Sequence, residues 1–463
     1  MKKYIMLSFA VILWLKIYGQ VTFKQIGNDL HGQYINQYFG YSVSLDGAGK
    51  TLAIGSPYFS RKVYLGGLVQ IFENVDNEWI QKGNSIYSSL ASNGLGWSVS
   101  LNKTGDILAI GVPYNQEAGN GFGKVVIYKY EDDKWNQLGN PIFGESVGDL
   151  AGWSVSINAS GYTVAIGAVE VIEEDKGNGL IRIYDYNETI DKWEKTGDDI
   201  KGDYVESYFG FSLDINDDGN IVAAGGPDDK ADHSGIVKIF ERNNNNWIQK
   251  GQLLHGEPGY QFGWSLSFNG KGDMIAIGAN KADNNNGKVK IFQFDKNNNN
   301  WKQIGSDIEG NDNWAGYSVA LNNAGNMLSV GFSGDKSKGF ETGLHKIFQF
   351  VDNDWKQIGP TLRGNNAYDL YGSGTDFNNK GNIFVVSAKN CSDYGESTGK
   401  VQIFEIEGLN STGNVIDLNN IIITPTIFED FVRIKCNKDN QIIYIEILNI
   451  NGQKITSQYY PDG

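Results

Sequence analysis

Seven times along this chain, a hydrophobic residue followed by glycine opens a unit of similar plan. The pairs are Phe39-Gly40, Leu95-Gly96, Ala151-Gly152, Phe209-Gly210, Phe262-Gly263, Ala315-Gly316 and Tyr371-Gly372. Successive glycines stand 53–58 residues apart, at the long end of known repeat periods. A repeating unit must bury its apolar face against its own copies, so the period and the pattern inside it restrict the fold together. Helical repeats are shorter and need apolar residues at 3.6-residue spacing, whereas these units alternate with period two. In the fifth unit GWSLSF (Gly263–Phe268), MIAIGA (Met274–Ala279), KVKIFQF (Lys288–Phe294) and WKQIGSDI (Trp301–Ile308) read as four strands. The turns between them, NGKGD and DKNNNN, supply Gly and Asn for left-handed backbone. Four antiparallel strands repeated seven times predict an all-β, seven-bladed β-propeller over residues 20–408.

A fourth-strand tryptophan recurs at Trp79, Trp135, Trp193, Trp247, Trp301 and Trp355, six for seven units. The seventh unit ends at KVQIFEIEG with no fourth strand, while FKQIGNDLHG (Phe23–Gly32) stands alone before the first unit and nearly repeats WKQIGSDIEG (Trp301–Gly310). The N-terminal strand is therefore expected to complete the last blade. Otherwise the ring would carry a row of unpaired backbone groups.

At the N-terminus, MKKYIMLSFAVILWLKIYG couples a basic start to an apolar run too short to span a bilayer with ease, and reads as a signal peptide over 1–19. Gly408–Asn420 reads as a linker, assigned to 409–418, and strand-like runs with an Asn451-Gly452 hairpin signal suggest a small β-sandwich-like segment over 419–463. Cys391 and Cys436 lie in different segments and make no disulfide framework. A net charge of −15 argues against nucleic acid, whose binding needs clustered Lys and Arg, and against an anionic membrane surface. The mature chain is expected to be exported, monomeric and not inserted in a membrane.

Short turns join strands one and two (NKTGD, NASGY, NDDGN) and strands three and four, and antiparallel order puts both sets on one face. The other face collects the second-to-third loops and the blade crossings, which vary in length and content, and variable loops on a rigid scaffold are where binding usually resides. Candidate ligand contacts there are Tyr38, Asp149, Glu206, Tyr208, Tyr260, Asp312, Trp314 and Asp369, aromatic and acidic groups suited to sugars, cations or a protein partner. The residues after the opening glycines are Tyr41, Trp97, Trp153, Phe211, Trp264, Tyr317 and Ser373. They alternate with Val43-like core positions, which favours packing between blades over a ligand cage.

The units resemble FG-GAP repeats of integrin α-subunit propellers and their bacterial relatives. The resemblance rests on the Phe-Gly pairs above and on Gly55-Ser56-Pro57, Gly111-Val112-Pro113 and Gly225-Gly226-Pro227. It implies an extracellular recognition role. Such propellers often hold Ca²⁺ in the first turn; in the fourth unit Asp214, Asn216 and Asp218 approach that pattern, with Val222 in place of the last carboxylate, so no cofactor is expected. Residues 419–463 resemble the C-terminal sorting domain of type IX secretion, with Thr424-Pro425-Thr426 at its entry and a glycine-turn strand pair at Ile442–Ile455. That resemblance implies secretion to, or display on, the outer surface of a Gram-negative bacterium.

No nucleophile elbow, zinc-type His/Cys spacing or phosphate loop is present. His31 and His255 occupy equivalent places that Lys201, Glu309 and Arg363 fill elsewhere. The expectation is a non-enzymatic propeller that binds an extracellular glycan or protein in an adhesion-like role. The alternative is a carbohydrate-active enzyme using carboxylates such as Asp228-Asp229 or Glu173-Glu174 across the funnel.

Overall fold

The computed structural model describes residues 21–169, 177–203, 206–228, 232–408, 431–436, 442–448 and 454–459. The expected leader, 1–19, and linker, 409–418, lie outside them. Phe23–Glu405 form one compact unit of seven antiparallel sheets, the seven blades of a propeller. In blade 1, Ser42–Leu45, Thr51–Ser56, Leu68–Val75 and Glu78–Gln81 follow one another in chain order. The second strand is buried along its whole length, because neighbouring sheets cover both of its faces. Hydrophobic clusters accordingly bridge adjacent blades. One joins Ala53, Val69 and Ile71 of blade 1 to Leu108, Ile110 and Val126 of blade 2.

Two seams hold blade to blade. Near the axis, the serine after the opening aromatic donates to the next blade's opening glycine: Ser42 Oγ reaches Gly96 O at 2.9 Å and Ser98 Oγ reaches Gly152 O at 2.9 Å. The second-strand glycine paired with that serine, Gly55 opposite Ser42, leaves room for this approach; a Cβ on Gly55 would overlap Gly96 O. At the periphery the fourth strand is broken, except in blade 6, where Asp354–Arg363 runs on through Gly359. After Gln81 the chain turns through left-handed Gly83 (φ 70°), and Ile86–Tyr87 returns to the same third strand. Over that glycine lies the next blade's tryptophan, whose Cδ1 sits 3.0 Å from where a Cβ would stand. Its Nε1 donates to Lys82 O at 2.9 Å.

The N-terminal strand closes the ring as expected. Thr22–Gln25 pairs with the last propeller strand, Lys400–Glu407, and Leu30 and His31 pair with Val401 and Lys400 of that strand. Phe23 takes the place of the absent seventh tryptophan. It packs over Gly359 just as Trp135 packs over Gly83, and Trp79 of blade 1 in turn donates to Ile26 O at 3.1 Å.

Phe431–Cys436, Ile442–Leu448 and Lys454–Tyr459 form a three-stranded antiparallel sheet. One sheet therefore stands among the described residues where a small sandwich was expected; the Asn451-Gly452 turn lies outside them.

Candidate functional site

The seven first strands surround the propeller axis. Where they start, on the variable-loop side, the expected ring of aromatics forms. Tyr41 and Trp97 have centroids 4.8 Å apart, Trp97 and Trp153 4.8 Å, Trp153 and Phe211 5.7 Å, Phe211 and Trp264 4.8 Å, and Trp264 and Tyr317 5.6 Å. The rings pack blade against blade, as the alternation suggested, yet all six stay half-buried. Ser373 leaves the seventh place without an aromatic. Lys389 fills the gap: its Nζ lies 4.8 Å from the Tyr41 centroid, 5.3 Å from that of Tyr317, and donates to Tyr317 Oη at 3.0 Å.

Around blades 1 and 2 a second tier widens the ring into a funnel. Tyr58 lies 5.8 Å from Tyr41 and Tyr114 lies 5.2 Å from Trp97. Burial holds the Tyr41, Tyr58 and Tyr114 hydroxyls above the usual phenol range; the Lys389 charge opposes this at Tyr58. These phenols are neutral at any physiological pH and serve as donors and acceptors. Half-buried ring faces, neutral hydroxyls and one cation form a surface that can stack on a flat apolar face and bond to its polar edge.

The far end of the axis has different chemistry. A cavity of ≈ 160 Å³ is lined by Ser44, Ser100, Ser156, Asp214, Ser267 and Asp376, among others. These side chains follow one rule, in which the next blade's first strand donates to each: Leu101 N bonds to Ser44 Oγ at 3.0 Å, Ile157 N to Ser100 Oγ at 3.1 Å and Ile215 N to Ser156 Oγ at 3.2 Å. Ser267 obeys it too, accepting from Leu321 N at 3.0 Å. Asp214 and Asp376 take the same role, accepting from Phe268 N and Leu45 N, each at 2.8 Å. Burial outweighs these bonds and pushes the carboxyls up to about 6 and about 7. The mouth of the cavity is tied by turn-to-turn backbone bonds such as Gly47 N to Lys103 O at 3.0 Å, and by Asp217, which accepts from Lys103 Nζ and, at 2.7 Å, from Asn323 Nδ2.

The eight residues expected to contact ligand do not form one site. Tyr38 flanks the funnel, 5.0 Å from Tyr58. Trp314 does so at blade 6, 6.4 Å from Tyr317, with Lys281 Nζ 4.2 Å above its ring. Tyr208 is half-buried at its crossing and Glu206 is exposed. Tyr260 donates to Asp283 Oδ1 at 2.7 Å, and Asp312 pairs with Lys336 at 2.9 Å. Asp149 and Asp369 are sealed in, each 1% exposed. Asp149 accepts from Arg182 and from Glu145 N, and Asp369 accepts from Asn365 N and Asn366 N. Both carboxylates brace their own crossings.

Sequence reasoning missed Lys389, Tyr58 and Tyr114. Two of them carried a signal, since Pro57-Tyr58 and Pro113-Tyr114 repeat the same dipeptide one unit apart. Lys389 carried none by itself, because its role depends on the gap at Ser373.

The calcium pattern does not fit a cation. Asn216 Oδ1 accepts from Asn220 N and Ile221 N at 3.0 and 2.8 Å, closing its own turn. Asp214 is held in the axial cavity, and Asp218 is exposed. Asp369, Cys391 and Asp393 place their ligand atoms within 4.8 Å of one another. However, Lys400 Nζ already sits 2.6 Å from Asp393, and burial pushes the Cys391 thiol up to about 12. His345, fully buried, contacts Ser329 Oγ at 2.6 Å and burial drives its imidazole down to about 3. That pair has no route to a substrate. No family model matches the chain, and no curated protein matches it.

Proposed function

We propose that this chain is an exported, non-enzymatic propeller that binds a saccharide in the aromatic funnel of its loop face, in an adhesion-like role. One observation carries the reading: six half-buried rings from six blades, with Lys389 in the seventh place, converge on a single opening. Sugar rings present apolar faces edged by hydroxyls, and aromatic faces beside neutral phenols complement both. The resemblance to FG-GAP propellers and to a type IX sorting domain supports an extracellular setting, secreted or on the outer surface. The sealed Ser329–His345 pair and the structural roles of Asp149 and Asp369 favour binding over turnover.

A glycan array with the purified chain, followed by titration of the best hit against tryptophan fluorescence, tests this. Quenching is expected, and Trp97→Ala and Lys389→Met should each weaken binding about tenfold, the size of a lost stacking or charged contact. An array blank, or affinity unchanged in both variants, would refute the reading. Release of reducing ends from a bound glycan would favour the enzymatic alternative instead.

A further inference from the structure

The chain is acidic overall, with 54 Asp and Glu against 39 Lys and Arg, and six of its seven blades put acidic groups on the loop face, several of them ion-paired there. Glu117, Asp203, Asp228, Asp283, Asp335 and Glu396 represent blades 2 to 7 there. Blade 1 differs. Its second-to-third loop, 57–67, and the crossings on either side of it, 31–40 and 88–96, contain no Asp or Glu, although a stretch of that combined length would ordinarily hold several. They contain Arg61 and Lys62, both exposed and without an ion pair among the described residues.

The same three segments carry a patch of exposed rings. Tyr34 and Tyr64, with Tyr87 immediately before the third segment, are 37%, 68% and 36% exposed, and Ile35 is 67% exposed. Buried Phe59 anchors the patch, 5.6 Å from Tyr34 and 5.8 Å from Tyr87. The cations stand over these rings: Arg61 Cζ is 4.6 Å from the Tyr34 centroid and Lys62 Nζ 3.6 Å from that of Tyr87. A groove between the loop and the crossing is lined by Gln33, Tyr34, Ile35, Phe59, Ser60 and Arg61. The patch also joins the funnel through adjacent residues, since Phe59 packs into it while Tyr58 faces Tyr41.

We infer that the blade 1 sector of the loop face is a second saccharide subsite, built for an anionic, carboxylate-bearing glycan. Acids accompany the cations in the other blades, whereas Arg61 and Lys62 have none in their own loop or the flanking crossings, so this sector is where such a chain can settle. Charge alone would capture any polyanion; the exposed rings beside the cations add the stacking surface that a sugar ring uses and a simple acidic peptide lacks. The inference rests on the reading of this face as saccharide-binding, and it adds the charge class of the ligand.

The test uses the full chain with polygalacturonate, a neutral dextran and polyglutamate as probes, in affinity electrophoresis at 50 and 300 mM NaCl. Polygalacturonate should bind, weaken at least fivefold at the higher salt, and lose at least tenfold with the Arg61→Glu, Lys62→Glu double variant. Arg61, Lys62 and Tyr64 are all exposed, so melting temperature should not change; Tyr64→Ala, which leaves the charges intact, should weaken polygalacturonate more than polyglutamate. Equal binding by the charge-reversed and parent proteins would overturn the inference, as would polyglutamate binding as tightly as polygalacturonate. If neutral glycan binds in a Trp97-dependent way and polygalacturonate does not bind, the funnel reading survives and this one fails. If no glycan binds, both fail.

Discussion

Besides the missing seventh aromatic, the closing junction of the ring differs from the other six at one pair of small residues. In blades 1 to 6 the first strand supplies serine and the second supplies the glycine beside it, as in Ser42 with Gly55 and Ser318 with Gly331. In blade 7 the two are exchanged: Gly374 pairs with Ser387. A Cβ added to Gly374 would stand 2.8 Å from Ser387 Oγ, while Ser387 Cβ itself fills the space facing Gly40. Gly374→Ser alone should therefore destabilise by about 1–3 kcal/mol through crowding. The double variant Gly374→Ser, Ser387→Gly restores the common arrangement and should lie within about 1 kcal/mol of the parent. A double-mutant cycle from urea melts should show a coupling above about 1 kcal/mol; additive effects would refute the exchange. The serines were legible in the sequence as the residues that follow Tyr41, Trp97 and their counterparts. Their bond to a carbonyl some 54 residues away was not, because it depends on the register between blades.

Among elements, the N-terminal strand was the most legible, since its near-copy of a fourth strand left one place for it. What the repeat did not show is how that strand locks. The left-handed glycine in each fourth strand makes room for the next blade's ring, and five of the six tryptophans donate their N–H to the residue before that glycine, Trp355 being the exception. Phe23 offers the ring over Gly359 without the N–H. Phe23→Trp should thus supply a bond to Ile358 O and stabilise by up to about 1 kcal/mol. Phe23→Ala should destabilise by about 2 kcal/mol, short of the loss at a fully buried site because Phe23 is half-buried. Deleting 20–32 should lower the melting temperature far more than either substitution, because it exposes a whole strand edge. Equal melting of the deletion and the parent would show that the clasp does not close the ring. The two-residue return pieces such as Ile86–Tyr87 escaped the sequence reading because so short a run has no period to detect.

For the whole molecule, the number of blades and their closure followed from the period, but the chemistry of the axis did not. Only the assembled ring places Asp214 of blade 4 and Asp376 of blade 7 in one axial cavity with the serines of other blades. Both carboxyls are pushed up, to about 6 and about 7, first by burial and, for Asp376, also by the charge of Asp214. A carboxyl whose folded value lies above its unfolded one binds its proton more tightly in the folded state. Its stabilising effect is complete below the ordinary carboxylate range, near pH 4, and is lost as pH rises through the folded value. The carboxylates held below the usual range, such as Asp199 and Asp393, act in the opposite sense, but their window lies under pH 4. Between pH 5 and 8 the axial pair should lower stability by roughly 4 kcal/mol. Buried His345, whose imidazole is held down to about 3, should raise it by roughly 2 kcal/mol as the unfolded-state imidazole loses its proton, so stability should fall by roughly 2 kcal/mol across that span. Serine performs the same inter-blade role at Ser44 and Ser100. Asp214→Ser with Asp376→Ser should therefore abolish the fall, leave the rise that His345 imposes up to about pH 7, and make the protein more stable than the parent at pH 8, with little difference at pH 4.5. Denaturant melts of both proteins across this range decide the matter: parallel curves would mean that the two carboxyls do not govern how the ring responds to acid.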